Sequence, residues 1–137
     1  MTMSNLNSVC NTILKEVNES LGMAVVDLSS GLLLSVAHNV PYFTQSYLDA
    51  VAAAAVDMFR GKTISTVEKL LTEQRGREVR GSIKEVQMTT EATFHFMSIV
   101  PGKPDTLAVL ITTKKANLGM GWAALRGQLP EISKLCP

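Results

Sequence analysis

The sequence predicts an α+β fold: a single five-stranded, mainly antiparallel sheet sandwiched by helices on both faces, in the order α-β-β-α-β-β-β-α. Three observations lead there. Helical and strand-like apolar periodicities follow one another along the chain in that order. Most of the strand segments are apolar on consecutive positions, the pattern of strands buried on both faces. Short turn signals, not long crossovers, join the strands of each cluster, which favours hairpins. With 137 residues, no internal repeat and no low-complexity linker, the chain reads as one domain over 1–137.

The elements follow in order. Residues 4–20 carry Leu6, Val9, Cys10, Ile13, Leu14 and Val17 at i, i+3, i+4, i+7, i+8 and i+11, one face of a helix. Ser4 or Asn5 suits its N-cap and Gly22 marks its stop region. Residues 23–28 and 32–37 are short apolar runs around Ser29, Ser30 and Gly31, which reads as a β-hairpin. Pro41 punctuates the next loop, and residues 44–60 form a helix with two apolar stripes. Leu48, Val51, Ala52, Ala55 and Phe59 make the first, and Tyr47, Ala50, Ala54 and Met58 the second. A helix apolar over so wide an arc packs on more than one side. The second stripe serves either tight packing within the chain or a helix from a partner.

Gly61 ends that helix, and residues 63–73 show a shorter helical period through Ile64, Val67, Leu70 and Leu71. Residues 74–81 are the most polar stretch and read as a loop or an edge. Strands follow at 83–88, 93–100 and 106–113, with a turn at 89–91 and a loop at 101–105. In the second of these, Phe94, Phe96, Ser98 and Val100 point one way and His95, Met97 and Ile99 the other. A last helix runs from 115 or 116 to 135, with Leu118, Trp122, Leu125 and Leu129 on one face and an interruption expected at Pro130.

Composition narrows the function. Apolar residues are 46% of the chain, aromatics only 5%, and 13 basic against 12 acidic residues leave a net charge of +1. That charge lacks the basic footprint of a nucleic-acid binder. No apolar run approaches the ~20 residues of a membrane span, and no signal peptide is visible, so direct membrane insertion is not expected and a cytoplasmic location is. Cys10 falls on an apolar helical face and reads as a core residue, whereas Cys136 is penultimate and expected at an exposed, frayed end. Neither belongs to a zinc-ligand spacing, and a disulfide between them stays open.

Candidate chemistry is sparse. Residues 60–63, RGKT, resemble the end of a phosphate-binding loop, but position 56 is Val where that motif needs Gly, and the preceding residues are helical. His95 in a strand and His38 in a loop have no nucleophile elbow near them. Asp27 is expected to cap its turn. Asn117 and Gly119 at a helix start give only a faint anion-binding signal. No catalytic residue, metal or cofactor is assigned. Arg75, Arg77 and Arg80 form the densest basic cluster, which serves either to protect a sheet edge by charge or to dock an acidic partner.

Two segments carry a resemblance: residues 22–35, GMAVVDLSSGLLLS, and residues 116–120, ANLGM, after the apolar strand. With the element order and the Ala-rich second helix, they resemble the Roadblock / dynein light chain family over roughly residues 6–130, in particular its bacterial gliding and polarity GTPase-regulator type. Profilin-like, PAS, GAF and longin domains share the layering. The resemblance implies a non-enzymatic homodimer in which two sheets join across an edge strand and the second helices lie side by side. The helix would be about 46–60, with Tyr47, Ala50, Val51, Ala54 and Met58 in the seam. The edge strand would be about 79–88, with Val79, Ile83, Val86 and Met88. The implied partners are a second copy of the chain and a Ras-like small GTPase or a multiprotein signalling complex. The polar stretch 74–80 departs from the family pattern. The alternative is a PAS- or GAF-like sensor of a small ligand, with a cavity lined by Phe94, Phe96, Met97 or Trp122.

Overall fold

A computed structural model describes the backbone of residues 2–137 and the side chains of residues 5–137. The elements are α1 (Thr2–Glu16), β1 (Ser20–Asp27), β2 (Leu32–His38), α2 (Gln45–Arg60), α3 (Lys62–Arg75), β3 (Glu85–Thr89), β4 (Thr93–Val100), β5 (Lys103–Thr113) and α4 (Leu118–Leu135). The strands form one sheet in the order β2-β1-β5-β4-β3, every neighbouring pair antiparallel. The fold is therefore α+β, and the expected order holds with α3 added after α2.

Two apolar layers flank the sheet. Leu6, Cys10 and Ile13 of α1 and Leu125, Leu129 and Ile132 of α4 pack with Met23, Val25, Phe96, Ala108 and Leu110 on one face. Leu48, Ala52, Ala55 and Phe59 of α2 pack with Val26, Met97, Leu107, Val109 and Ile111 on the other. Successive strand residues point to opposite faces, so Phe96 and Met97 serve different layers. The central strand β5 is buried from Thr106 to Thr112, as consecutive apolar positions require. The edge strand β2 is only half covered, and its Leu32 is 65% exposed.

Several boundaries differ from expectation, each for a local reason. The first helix stops at Glu16, and Gly22 does not mark the stop; it lies inside β1, paired with His38 and Ile111. Glu19 makes the turn instead, with φ 67°, held because Thr113 donates its backbone N–H to the Glu19 carbonyl and its hydroxyl to the Glu19 carboxylate. The Ser20 hydroxyl donates to the Leu14 carbonyl at 2.6 Å and closes the helix end. Asn5 lies within α1 and does not cap it, while the side chain of Ser4, the other cap candidate, lies outside the described residues. The loop expected at 101–105 shrinks to Pro101 and Gly102, and β5 begins at Lys103, paired with Val100.

α4 starts at Leu118 behind the cap Asn117, whose side chain accepts from the Met120 N–H at 3.1 Å. It runs through Pro130 without ending, because Pro130 is exposed and the carbonyl deprived of its donor can reach water. Leu118, expected on the apolar face, is 42% exposed. Cys136 is not a frayed residue: it caps α4, is buried and joins the α1/α4 core.

Candidate functional site

Three of the four second-stripe residues of α2 are exposed, and Met58 is half-buried. Thr44 caps the helix, its hydroxyl accepting from the Tyr47 N–H at 3.3 Å. Leu48, Ala52, Ala55 and Phe59 are buried against the sheet, which leaves Tyr47, Ala50 and Ala54 exposed and Val51 and Met58 half-buried. Ala53 is exposed as well, so small side chains dominate the outer surface of α2. At the helix start the Tyr47 ring stacks on buried Phe43 at 4.8 Å, and Tyr42 meets Phe43 edge-on at 5.4 Å. Tyr42, 67% exposed, was not among the expected site residues; it lies outside the helical period that drew attention to Tyr47.

The edge strand lies on the same side. β3 pairs with β4 alone among the described residues, from Glu85 to Thr89. Val86 and Met88 are half-buried and pack with the α2 layer, as does Met58. Glu85 accepts a two-point ion pair from Arg126 of α4, at 2.8 and 2.6 Å, and Arg126 also sits 4.7 Å over the Trp122 ring. This pair holds Glu85 below the usual carboxylate range.

The expected edge strand at 79–88 needs correcting at its start. Val79 and Ile83 precede β3. The Val79 N–H donates to the Thr72 hydroxyl at 2.8 Å, and the Ser82 N–H and hydroxyl both donate to Glu68, at 2.7 and 2.6 Å. These bonds strap residues 79–82 to α3, and the Ser82 pair lowers the Glu68 pKa. Ile83 packs against the α2 layer without strand pairing of its own.

No protein-family model and no curated protein matches the amino-acid sequence. Solved structures do match the fold. Myxococcus xanthus MglB is 17% identical with a TM-score of 0.72, over 98% of this chain and 92% of that one. The gliding protein MglB from Thermus thermophilus is 16% identical with a TM-score of 0.73, over 98% and 90%. A Roadblock/LC7 domain from Streptomyces avermitilis is 15% identical with a TM-score of 0.67, over 93% and 94%. The chain has the Roadblock/LC7 fold.

On this Roadblock fold the remaining candidates occupy separate places. Arg75 ends α3, and Arg77 and Arg80 follow in irregular chain; all three are exposed, and Arg80 pairs with Glu78 at 3.7 Å. They are off the β3 ladder, so they flank the sheet edge without belonging to it. α3 itself has no buried residue, and its Val67 and Leu70 are 48% and 60% exposed. The helical period of these residues is plain in the sequence but their exposure is not, because periodicity reports an apolar face and not what covers it.

Asp27 caps its turn as expected, accepting from the Ser29 N–H and from the Ser29 and Ser30 hydroxyls, which lower its pKa. Gly31 follows with φ 76°, a conformation that suits glycine. His95 is buried, with Nε2 3.0 Å from the Thr93 hydroxyl, and burial lowers its pKa. His38 Nδ1 accepts from the Val40 N–H at 3.2 Å. The RGKT segment spans the α2–α3 junction at Gly61, where Arg60 donates to the Pro104 carbonyl. Among the described residues no group of three or more His, Cys, Asp or Glu side chains could hold a metal ion. No helix among them is long and apolar enough to cross a membrane.

The side chains expected to line a sensor cavity are themselves packed. Phe96 is fully buried, touching Trp122 edge-on at 5.4 Å, and Met97 lies in the opposite core. A groove of about 720 Å³ lies elsewhere, between the end of α1 and the start of α4, lined by residues that include Ile13, Val17, Lys115, Met120 and Ala124.

Proposed function

We propose that this chain is a non-enzymatic, homodimeric regulator or scaffold that binds a Ras-like small GTPase or a multiprotein signalling complex, acting as a single Roadblock-like domain over 1–137. One observation carries the reading: α2 exposes small side chains away from the sheet, and β3, whose Val86 and Met88 pack in the α2 layer, has no second strand neighbour among the described residues. Alanines let two helices approach closely, and an open strand accepts a second strand by backbone hydrogen bonding. The seam takes Tyr47, Ala50, Val51, Ala54 and Met58 from the helix, with Val86 and Met88 beside the edge. Val79 and Ile83 flank it from the segment strapped to α3. The GTPase follows from the resemblance, and the likeness to MglB, one of whose structures is described as a gliding protein, supports it. Arg75, Arg77 and Arg80 are offered as the contact for an acidic partner surface. The location proposed is the cytoplasm, where such GTPases act.

Light scattering on the purified chain tests the dimer. The expected mass is twice that of one chain at micromolar concentration. Ala54→Glu places an unpaired charge in the seam and is expected to weaken association by roughly 100-fold or more. A monomeric wild-type chain, or an Ala54→Glu variant that still dimerises like wild type, sinks this seam. Pull-down from native cytosol with the dimeric protein, in each nucleotide state, tests the GTPase separately.

A further inference from the structure

We propose that α3 and the basic segment after it seat the chain on an anionic lipid surface, so that the acidic partner read above for Arg75, Arg77 and Arg80 is a membrane leaflet. Charge is spread unevenly along the chain. Residues 62–84 hold six of the 13 basic residues, Lys62, Lys69, Arg75, Arg77, Arg80 and Lys84, against three of the 12 acidic ones, Glu68, Glu73 and Glu78. The rest of the chain holds seven basic and nine acidic residues. A chain of net charge +1 thus carries an excess of three positive charges in one segment and an excess of two negative charges elsewhere. All six basic side chains of the segment are exposed. Two of its three carboxylates are engaged: Glu68 accepts from Ser82, and Glu78 lies 3.7 Å from Arg80.

The apolar part of the contact is α3. Among the described residues it is the one helix with no buried side chain, so its apolar residues do little for the core. Val67 and Leu70 share an outward, exposed face with Thr63 and Gln74, at i, i+4, i+7 and i+11 from Thr63. By the same period Lys62, Lys69 and Glu73 flank this face on one side and Arg75 on the other. The long stems of the basic residues let their charged heads reach a headgroup layer while Val67 and Leu70 enter it. A helix with a short apolar face between cationic flanks lies in the plane of an anionic interface without crossing it. The bonds from Val79 to Thr72 and from Ser82 to Glu68 hold the following segment alongside α3. A helix is about 10 Å across, so Arg77 and Arg80 stay within about one Debye length of a surface that touches α3. A protein or a nucleic acid fits less well. Residues 60–93 contain no Phe, Tyr, Trp or His. The segment therefore offers neither the aromatic anchors of a protein hot spot nor the stacking platforms of a single-stranded nucleic-acid site. Two exposed aliphatic side chains enter a fluid interface one by one, with no shaped pocket needed to receive them.

Co-sedimentation of the full chain with vesicles tests the contact. At about 0.05 M salt the chain is expected to pellet with vesicles of equal phosphatidylcholine and phosphatidylglycerol, at least about tenfold more tightly than with phosphatidylcholine alone, and to be released at about 0.5 M salt. Arg75→Gln, Arg77→Gln and Arg80→Gln are each expected to weaken that binding by about fivefold. Leu70→Gln keeps the charge and the fold, since the side chain is 60% exposed, and is expected to weaken it by about fivefold as well. No pelleting with the mixed vesicles at low salt, or equal binding to both kinds of vesicle, would overturn the proposal. So would a Leu70→Gln chain that binds like wild type, or a wild-type chain that binds soluble polyglutamate as tightly as the mixed vesicles. Charge alone would then account for the contact, with an acidic protein as its source. A chain that dimerises and captures a GTPase yet ignores vesicles overturns the lipid contact alone, and a monomer that pellets with them overturns the seam alone.

Discussion

Two glycines of α4 face opposite constraints. A Cβ on Gly121 would lie 2.5 Å from the Phe96 ring, whereas one on Gly127 would meet nothing within 4 Å. Gly121→Ala is therefore expected to destabilise by about 1–3 kcal/mol, through displacement of a fully buried ring. Gly127→Ala is expected to stabilise by about 0.5–1 kcal/mol, through reduced freedom of the unfolded chain. Urea melts of the two variants check both signs, and adding Phe96→Leu should recover part of the Gly121→Ala loss. His95 sets a pH dependence. Its pKa is lowered from 6.5 in the folded chain, so the unfolded chain takes the proton first. Stability is thus expected to fall as pH drops below 6.5, and His95→Gln should flatten that slope in melts across the range. A second decline belongs to Asp27, Glu68 and Glu85, whose pKa values are lowered from 3.8, 4.5 and 4.5. Their contribution is present above those values and lost as pH falls through the lower folded ones.

At the scale of elements, β3 is the shorter of the two edge strands. It has one strand neighbour among the described residues, and the Arg126–Glu85 pair anchors it to α4. Arg126→Ala is expected to speed amide exchange at Val86 and Met88, read by hydrogen-exchange mass spectrometry, with little change in the global melt. The same region shows where sequence stops being legible. Val79 and Ile83 look like strand residues, yet the Thr72 hydroxyl and the Glu68 carboxylate accept the N–H groups of Val79 and Ser82. A side-chain acceptor on a neighbouring helix leaves no mark in the apolar pattern of the segment it captures. The two stripes of α2, by contrast, were readable, because four of the five first-stripe residues had to be buried and the second was left over. On α3, Leu70→Gln is expected to change monomer stability by no more than about 0.5 kcal/mol, since the side chain is 60% exposed.

At the scale of the whole molecule, the layering was legible because consecutive apolar positions in β1 and β5 demand cover on both faces. The buried end of α4 was not, because a lone cysteine after the last helical residue carries no periodic apolar signal to distinguish docked from loose. The strand order has a further consequence. β1 and β2 leave the ribosome before β5, the other neighbour of β1, so Val25 must wait for Ala108. Translation exposes a hairpin whose open edge stays unsatisfied until β5 has been made. Such long-range closure raises the relative contact order and slows folding. The nascent hairpin, with Leu107, Val109 and Ile111 still inside the exit tunnel, is the stage at which a chaperone would find the most apolar surface to hold.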